Sequence, residues 1–148
     1  ARKNGVQIAS GGIYGNDSDE NPLVNHSTDI RIMHIDVNGL SKLILEMSPY
    51  QVTSMIFSIY SRLVDKFMEK DCLTFYLGGD NFMVIASNIL KDEVENILLG
   101  ITKDTRVPLN CGIGKGKTGR EAAMIATKAL DTIRELRDNG THLSIYEI

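Results

Sequence analysis

The sequence predicts an α+β domain of the ferredoxin-like βαββαβ class, extended by an extra helix and a C-terminal strand, and three observations carry that prediction. Two apolar runs, 72–77 and 82–86, flank Gly78-Gly79-Asp80-Asn81 and write a hairpin into the middle of the chain. Around the hairpin, runs of period two alternate with stripes of period 3.6 in a fixed order of strands and helices. A length of 148 residues with 43% hydrophobic content suits one domain with a sizeable core rather than a disordered chain.

Residues 1–29 hold one short strand candidate, Val6 to Ala9, and then a stretch dense in turn formers and acids. They are expected to form a loop-rich segment or linker, with the domain proper spanning 30–148. Ile30 to Val37 is the first strong strand, with Met33, Ile35 and Val37 on one face and Ile30, Ile32, His34 and Asp36 on the other. Asn38-Gly39 turns the chain into a helical run over Leu40 to Met47. Ser48-Pro49-Tyr50-Gln51 then starts a new helix, with serine as cap, proline at the first helical position and glutamine three residues on. Val52, Met55, Ile56, Ile59, Leu63 and Phe67 continue at helical spacing to near Lys70, a stripe that belongs to a core. After the hairpin, Val94, Ile97, Leu98 and Ile101 mark a helix over Lys91 to Lys103. Val107 to Ile113 reads as a strand in which Pro108 suits an edge or a strand start. Thr118 to Glu121 is a capping box opening a last helix that Asn139-Gly140 stops, and His142 to Ile148 alternates as a closing strand.

A net charge of −3 without long basic runs argues against duplex nucleic acid as the partner and leaves a small nucleotide open. Cys72 and Cys111 lie inside apolar runs, where cysteine behaves as a small hydrophobe, so a reduced, cytoplasmic protein is expected. No apolar stretch reaches the length of a membrane span and no basic-then-apolar leader is present, so no membrane partner is expected.

The chemistry gathers at strand ends. In the βαββαβ class the first strand lies antiparallel to the third, which would bring Asp36, at the end of one, beside Asp80, at the start of the other. Two carboxylates next to a helix amino terminus are the parts needed for Mg²⁺ and a triphosphate, because hard cations take oxygen ligands and phosphates take N–H groups. Gly79 lets the backbone of the hairpin tip approach such an anion closely. Gly112-Ile113-Gly114-Lys115-Gly116-Lys117-Thr118 resembles a phosphate-binding P-loop, but Cys111 stands where that pattern needs glycine. Lys115 and Lys117 are either solvated loop lysines or, if the loop faces the site, groups that neutralise phosphate. His34 is a conceivable acid-base group, although a lone histidine on a strand face is more often a structural one.

Met33-His34-Ile35-Asp36-Val37-Asn38-Gly39, Leu77-Gly78-Gly79-Asp80-Asn81-Phe82-Met83, and Cys111 to Lys115 followed by the Ala122, Ala126, Ala129, Leu130, Ile133 and Arg134 stripe together resemble the nucleotidyl-cyclase palm superfamily. Within it the sequence is most similar to the archaeal GTP cyclohydrolase III family, over roughly residues 30 to 138. The resemblance implies a palm domain and a Mg²⁺-dependent reaction, with one or two ions. In that reaction the imidazole ring of GTP, or of another purine nucleoside triphosphate, opens to 2-amino-5-formylamino-6-ribosylamino-pyrimidinone 5′-monophosphate with phosphate release. It carries Asp36 and Asp80 over as metal-binding acids, with Val37 among the metal ligands, and His34 as a candidate catalytic group. The backbone of Val37, Asn38, Gly39 and Leu40 matches a phosphate-contacting turn, and Gly79, Asn81, Lys117 and Arg134 fall to the substrate. Asn81 stands where diguanylate cyclases carry a second acid, and Ile44 where they place a guanine-binding asparagine. A nucleotidyl cyclase and a non-catalytic nucleotide-binding palm therefore stand as alternatives. The family resembles two fused palms, so a homo-oligomer or pairing with a second palm domain is expected.

Overall fold

The computed structural model describes residues 29–86 and 88–148, so the expected loop-rich segment before residue 29 lies outside the described residues. The element order is β1 (Ile30–Val37), α1 (Leu40–Glu46), α2 (Pro49–Met68), β2 (Leu73–Gly78), β3 (Asn81–Ala86), α3 (Lys91–Thr105), β4 (Leu109–Gly116), α4 (Gly119–Asp138) and β5 (Ile145–Glu147). The sheet runs β2-β3-β1-β4-β5, antiparallel throughout except for the β4–β5 pair. This is the expected βαββαβ arrangement, with α4 and β5 added.

The central strand β1 is covered on both faces. Met33, Ile35 and Val37 join Phe82, Val84, Cys111 and Ile113 in a core closed by α2 and α3. From α2 the buried set is Ile56, Ile59, Leu63 and Phe67, the stripe its spacing predicts. Each such side chain contributes about 1.5–3 kcal/mol by leaving water. Ser48 caps α2 as expected, its hydroxyl accepting from the Gln51 N–H while the Gln51 side chain accepts from the Ser48 N–H.

The other face carries Ile32, His34 and Asp36, and α4 lies across its β1–β4 half. The approach is close. A β-carbon added at Gly112 would stand 2.2 Å from the Ala126 carbonyl oxygen, and one at Gly114 would stand 2.4 Å from that of Ala122. The alternating glycines are thus a packing seam for Ala122, Ala126 and Ala129, all fully buried, and not a phosphate loop. They prolong β4 to Gly116, three residues beyond its predicted end. Lying between β1 and β5, β4 is interior, so Pro108 marks a strand start and not an edge. At the head of α4 the expected reciprocal box is half formed: Thr118 accepts from the Glu121 N–H, but Glu121 accepts from the Lys117 N–H.

The β2–β3 half of that face is bare. Leu73 pairs with Ile85 and Phe75 with Met83, and Leu73, Phe75 and Ile85 are 63%, 41% and 37% exposed. Period two therefore located β2 correctly, but the strand has no covered face there, because α4 turns its packing onto β1 and β4.

Candidate functional site

The end of β1 delivers Asp36 under α4. It is buried, and both carboxylate oxygens are engaged: Asn110 of β4 donates to Oδ1 at 2.8 Å and Arg134 of α4 donates to Oδ2 at 2.7 Å. Arg134 is shared with Asp131, one turn back, at 2.8 Å. Burial works against the Arg134 charge, but the hydrogen bond and charge of Asp36, aided by Asp131, hold its pKa above the usual value. Charge-assisted bonds of this kind are the short, strong ones.

The hairpin delivers Asp80. Gly78 opposes Asn81, leaving Gly79-Asp80 as the two-residue loop, and Gly79 takes φ +58°, a conformation glycine reaches without strain. Since Asp36 pairs with Asn81 across the β1–β3 ladder, the two acids converge as strand order predicts. Burial pushes the Asp80 carboxyl up, opposed by a hydrogen bond from its own backbone; the Asp36 charge pushes it further up, while Arg134 and His34 pull it down.

Asn81 joins Asp80 to His34. Its amide nitrogen donates to Asp80 Oδ1 at 3.0 Å and its oxygen, an acceptor, faces His34 Nε2 at 3.0 Å. His34 Nδ1 meets the Thr127 hydroxyl at 3.1 Å. An acid at position 81 could accept from His34 but could not donate to Asp80. With both ring nitrogens engaged, His34 orients Asn81, and a direct proton transfer to substrate requires one of these bonds to open.

The remaining predicted residues divide. Val37, Asn38, Gly39 and Leu40 follow Asp36 directly, with Gly39 at φ +75° turning the chain into α1. Lys117 does not reach the site: β4 runs antiparallel to β1 with Gly116 opposite Ile30, which places Lys117 at the far end of the sheet from Asp36. Reading the glycine seam as a loop caused that misplacement. Asn110, Thr127, Asp131 and Arg137 were missed. Arg137 donates to Asn38 Oδ1 at 2.7 Å. Its signal was available, since it lies three residues after Arg134 and shares its helix face.

Two converging carboxylates, with the carbonyl of Val37 beside Asp36 in the chain, form a hard-oxygen donor set. Among the described residues no cluster of three His, Cys, Asp or Glu side chains could hold a metal. A sparse set of this kind suits Mg²⁺, which keeps waters and phosphate oxygens and is bound by one or two carboxylates. The upward push of Asp36 on Asp80 is the like-charge repulsion that a cation between them would relieve. A cleft of about 740 Å³ between α2 and α3 opens on the opposite face, and its lining pairs Arg62 with Asp104 and Lys70 with Glu93. It has no part in this geometry. No helix among the described residues is long and apolar enough to cross a membrane.

The sequence model of the GTP cyclohydrolase III family matches residues 15–145. The GTP cyclohydrolase III of Methanobrevibacter smithii is 33% identical over 124 residues, covering 83% of this chain and 46% of the relative. That of Methanothermobacter thermautotrophicus is 34% identical over 106 residues, covering 71% and 43%. The chain thus spans less than half the length of these curated relatives. Among solved structures, a diguanylate cyclase/phosphodiesterase from Caldicellulosiruptor saccharolyticus aligns with TM-score 0.61 at 18% identity, covering 81% of this chain and 77% of that one. That likeness bears on the fold: it is the palm fold of the cyclases.

Proposed function

The chain belongs to the GTP cyclohydrolase III family, and on that premise we propose that it is a Mg²⁺-dependent palm acting on GTP. The reaction opens the imidazole ring to the formylaminopyrimidine 5′-monophosphate and releases phosphate. One observation carries the reading: Asp36 and Asp80 converge at the β1–β3 edge, with a neutral Asn81 bonded to Asp80 where a cyclase would place a further acid.

Asp36, Asp80 and the Val37 carbonyl would hold one or two Mg²⁺ ions, which supply positive charge against the triphosphate and polarise the bond that water cleaves. The chain's own residues do the positioning. Asn110 fixes one oxygen of Asp36, and Arg134 is poised to pass from the other oxygen to a phosphate, since guanidinium serves carboxylate and phosphate alike. The Val37 to Leu40 turn and Gly79 bring backbone close to the phosphates. Thr127 holds His34, His34 holds Asn81, and Asn81 holds Asp80.

Completion by a second palm, from a further domain or a second copy, is part of the same reading. The bare β2–β3 face begins beside Asn81 and carries Leu73, Phe75 and Ile85. A cytoplasmic setting suits the two buried cysteines.

Incubation with GTP and Mg²⁺ followed by mass spectrometry tests the assignment. A formylaminopyrimidine monophosphate is expected. A cyclic dinucleotide would move the chain to the cyclases, and tight GTP binding without product would make it a binding module.

A further inference from the structure

The long helix α2 presents three different faces. Its buried stripe, Ile56, Ile59, Leu63 and Phe67, enters the core. On one side of that stripe Arg62, Asp65, Lys66 and Glu69 line the cleft against α3, where Arg62 pairs with Asp104 and Lys66 with Glu69. On the other side Tyr50, Phe57, Ser61, Val64 and Met68 carry no charge at all. Tyr50, Phe57 and Met68 are 87%, 52% and 63% exposed. This uncharged flank borders β2, since the Phe57 ring centroid stands 5.6 Å from that of Tyr76. From Phe57 to Met68 the steps alternate between one and the next turn in the spacing of a helix seam, the pattern by which one helix packs along another.

The strand beside it is equally unguarded. Among the described residues β2 is a terminal strand of the sheet, with β3 on one side and no strand on the other. Leu73 to Leu77 contains neither lysine nor proline, the residues that ordinarily protect such an edge, and its one irregularity falls at the hairpin end, between Tyr76 and Gly78. Leu73, Phe75, Tyr76 and Leu77 are all exposed. Apolar side chains thus flank the edge on both faces of the sheet: Leu73 and Phe75 on the bare face, Tyr76 with Phe57 on the face shared with α2. A cover on the bare face alone leaves the second group in water.

We propose that the outer flank of α2 and the free edge of β2 together form the contact with a second copy of this chain, about a two-fold axis that sets α2 against its mate and brings the two β2 edges side by side. Area and charge both favour that occupant. At roughly 200 Å² for a fully exposed large side chain, the exposed apolar residues of α2 and β2 offer about 800 Å² per copy, one partner's share of a stable interface. Two copies that each carry a net charge of −3 meet with least repulsion on an uncharged surface. A helix seam and a strand edge are also self-complementary, as an isologous contact requires. Since β2 runs antiparallel to its mate, the two hairpin tips, and the acid pairs with them, lie at opposite ends of the joined sheets and stay open. The contact is separate from the bare β2–β3 face and independent of the cyclohydrolase reading.

Sedimentation of the full chain over a concentration series tests the contact. The parent is expected to dimerise. Ser61→Lys changes an exposed position of the seam, where folding is not at stake, and sets like charges against each other across the axis, so dimerisation should weaken about tenfold or more. Phe57→Glu with Met68→Glu should leave a monomer whose circular dichroism matches the parent's; if that pair fails to fold, Ser61→Lys alone decides. Ile85→Ser, on the bare face and one strand in from the edge, should leave the dimer intact. A parent that stays monomeric at every concentration would overturn the proposal. So would a dimer that keeps its affinity within about twofold in Ser61→Lys, or one that Ile85→Ser dissociates while the α2 variants do not, which would transfer the contact to the bare face. GTP turnover is scored separately, and its presence or absence leaves each of these outcomes as it stands.

Discussion

On the face that carries His34 and Asp36, α4 lies so close to β4 that no β-carbon fits at Gly112 or Gly114, while the β2–β3 half of the same face sends Leu73, Phe75 and Ile85 towards solvent. The candidate site straddles the border. Asp36, Asn110 and Arg134 come from the sealed half, and Asp80 and Asn81 come from the hairpin at the edge of the open half. One acid is therefore held by neighbours on two other elements, and the other by the residue next to it. The difference separates what each acid does for the fold from what both do for a ligand.

The largest effect should come from breaking the seal. Gly112→Val drives a side chain into the α4 backbone, and the expected loss is about 3 kcal/mol or more in urea denaturation, a large share of a small domain's stability. A loss below about 1 kcal/mol would mean that α4 can stand off the sheet without cost.

Exchanging the acids sharpens the contrast. Asp36→Asn and Asp80→Asn should each lower metal-dependent turnover of GTP by about 100-fold or more. Only Asp36→Asn should also destabilise the fold, by about 1 kcal/mol, because the partly exposed Arg134 loses its charged partner and the buried carboxylate that Asn110 and Arg134 share is replaced by an amide. Equal thermal stability of the two variants would erase the distinction. Acid pH separates them again. Burial raises the Asp80 pKa in the metal-free chain, so its carboxyl takes up a proton at a higher pH than an unperturbed aspartate, and Mg²⁺ affinity should fall as pH is lowered through that raised value. The same raised value means that the metal-free fold gains when Asp80 is protonated and loses slightly as pH rises through that pKa. Asp80→Asn should flatten that slope in a series of melts.

The smallest change in stability is expected on the open half. Leu73→Ser with Phe75→Ser should cost little, within about 0.5 kcal/mol for each exposed position. If a second palm covers this face, the pair should shift the assembly towards the monomer in sedimentation. A purely monomeric parent would rule out a second copy as the cover of this face.

The acid pair was legible from the chain because it depends on topology alone: a hairpin between two helical stripes fixes which strand ends meet, and Asp36 and Asp80 sit at those ends. Asn110 was not legible, since an amide inside a strand discloses its partner only when β4 is aligned residue by residue with β1. The glycines of β4 misled for a related reason. Glycine announces that something comes close to the backbone but not what, and here it is a helix rather than a phosphate, so Lys117 was drawn to the wrong end of the sheet. The bare face of β2 was hidden because alternation reports which side chains share a face and not whether anything covers it.

The glycine seam also constrains how the site can respond. With Ala122 and Ala126 set against strand backbone at Gly114 and Gly112, α4 has no slack along which to travel. On the proposed reading, Arg134 would exchange Asp36 for a phosphate by rotating its own side-chain torsions. Partly exposed side chains turn over in picoseconds to nanoseconds, whereas sliding helices need microseconds or longer. If a phosphate is captured by this half of the site, capture should be limited by diffusion and desolvation, with no slow helical step in front of it.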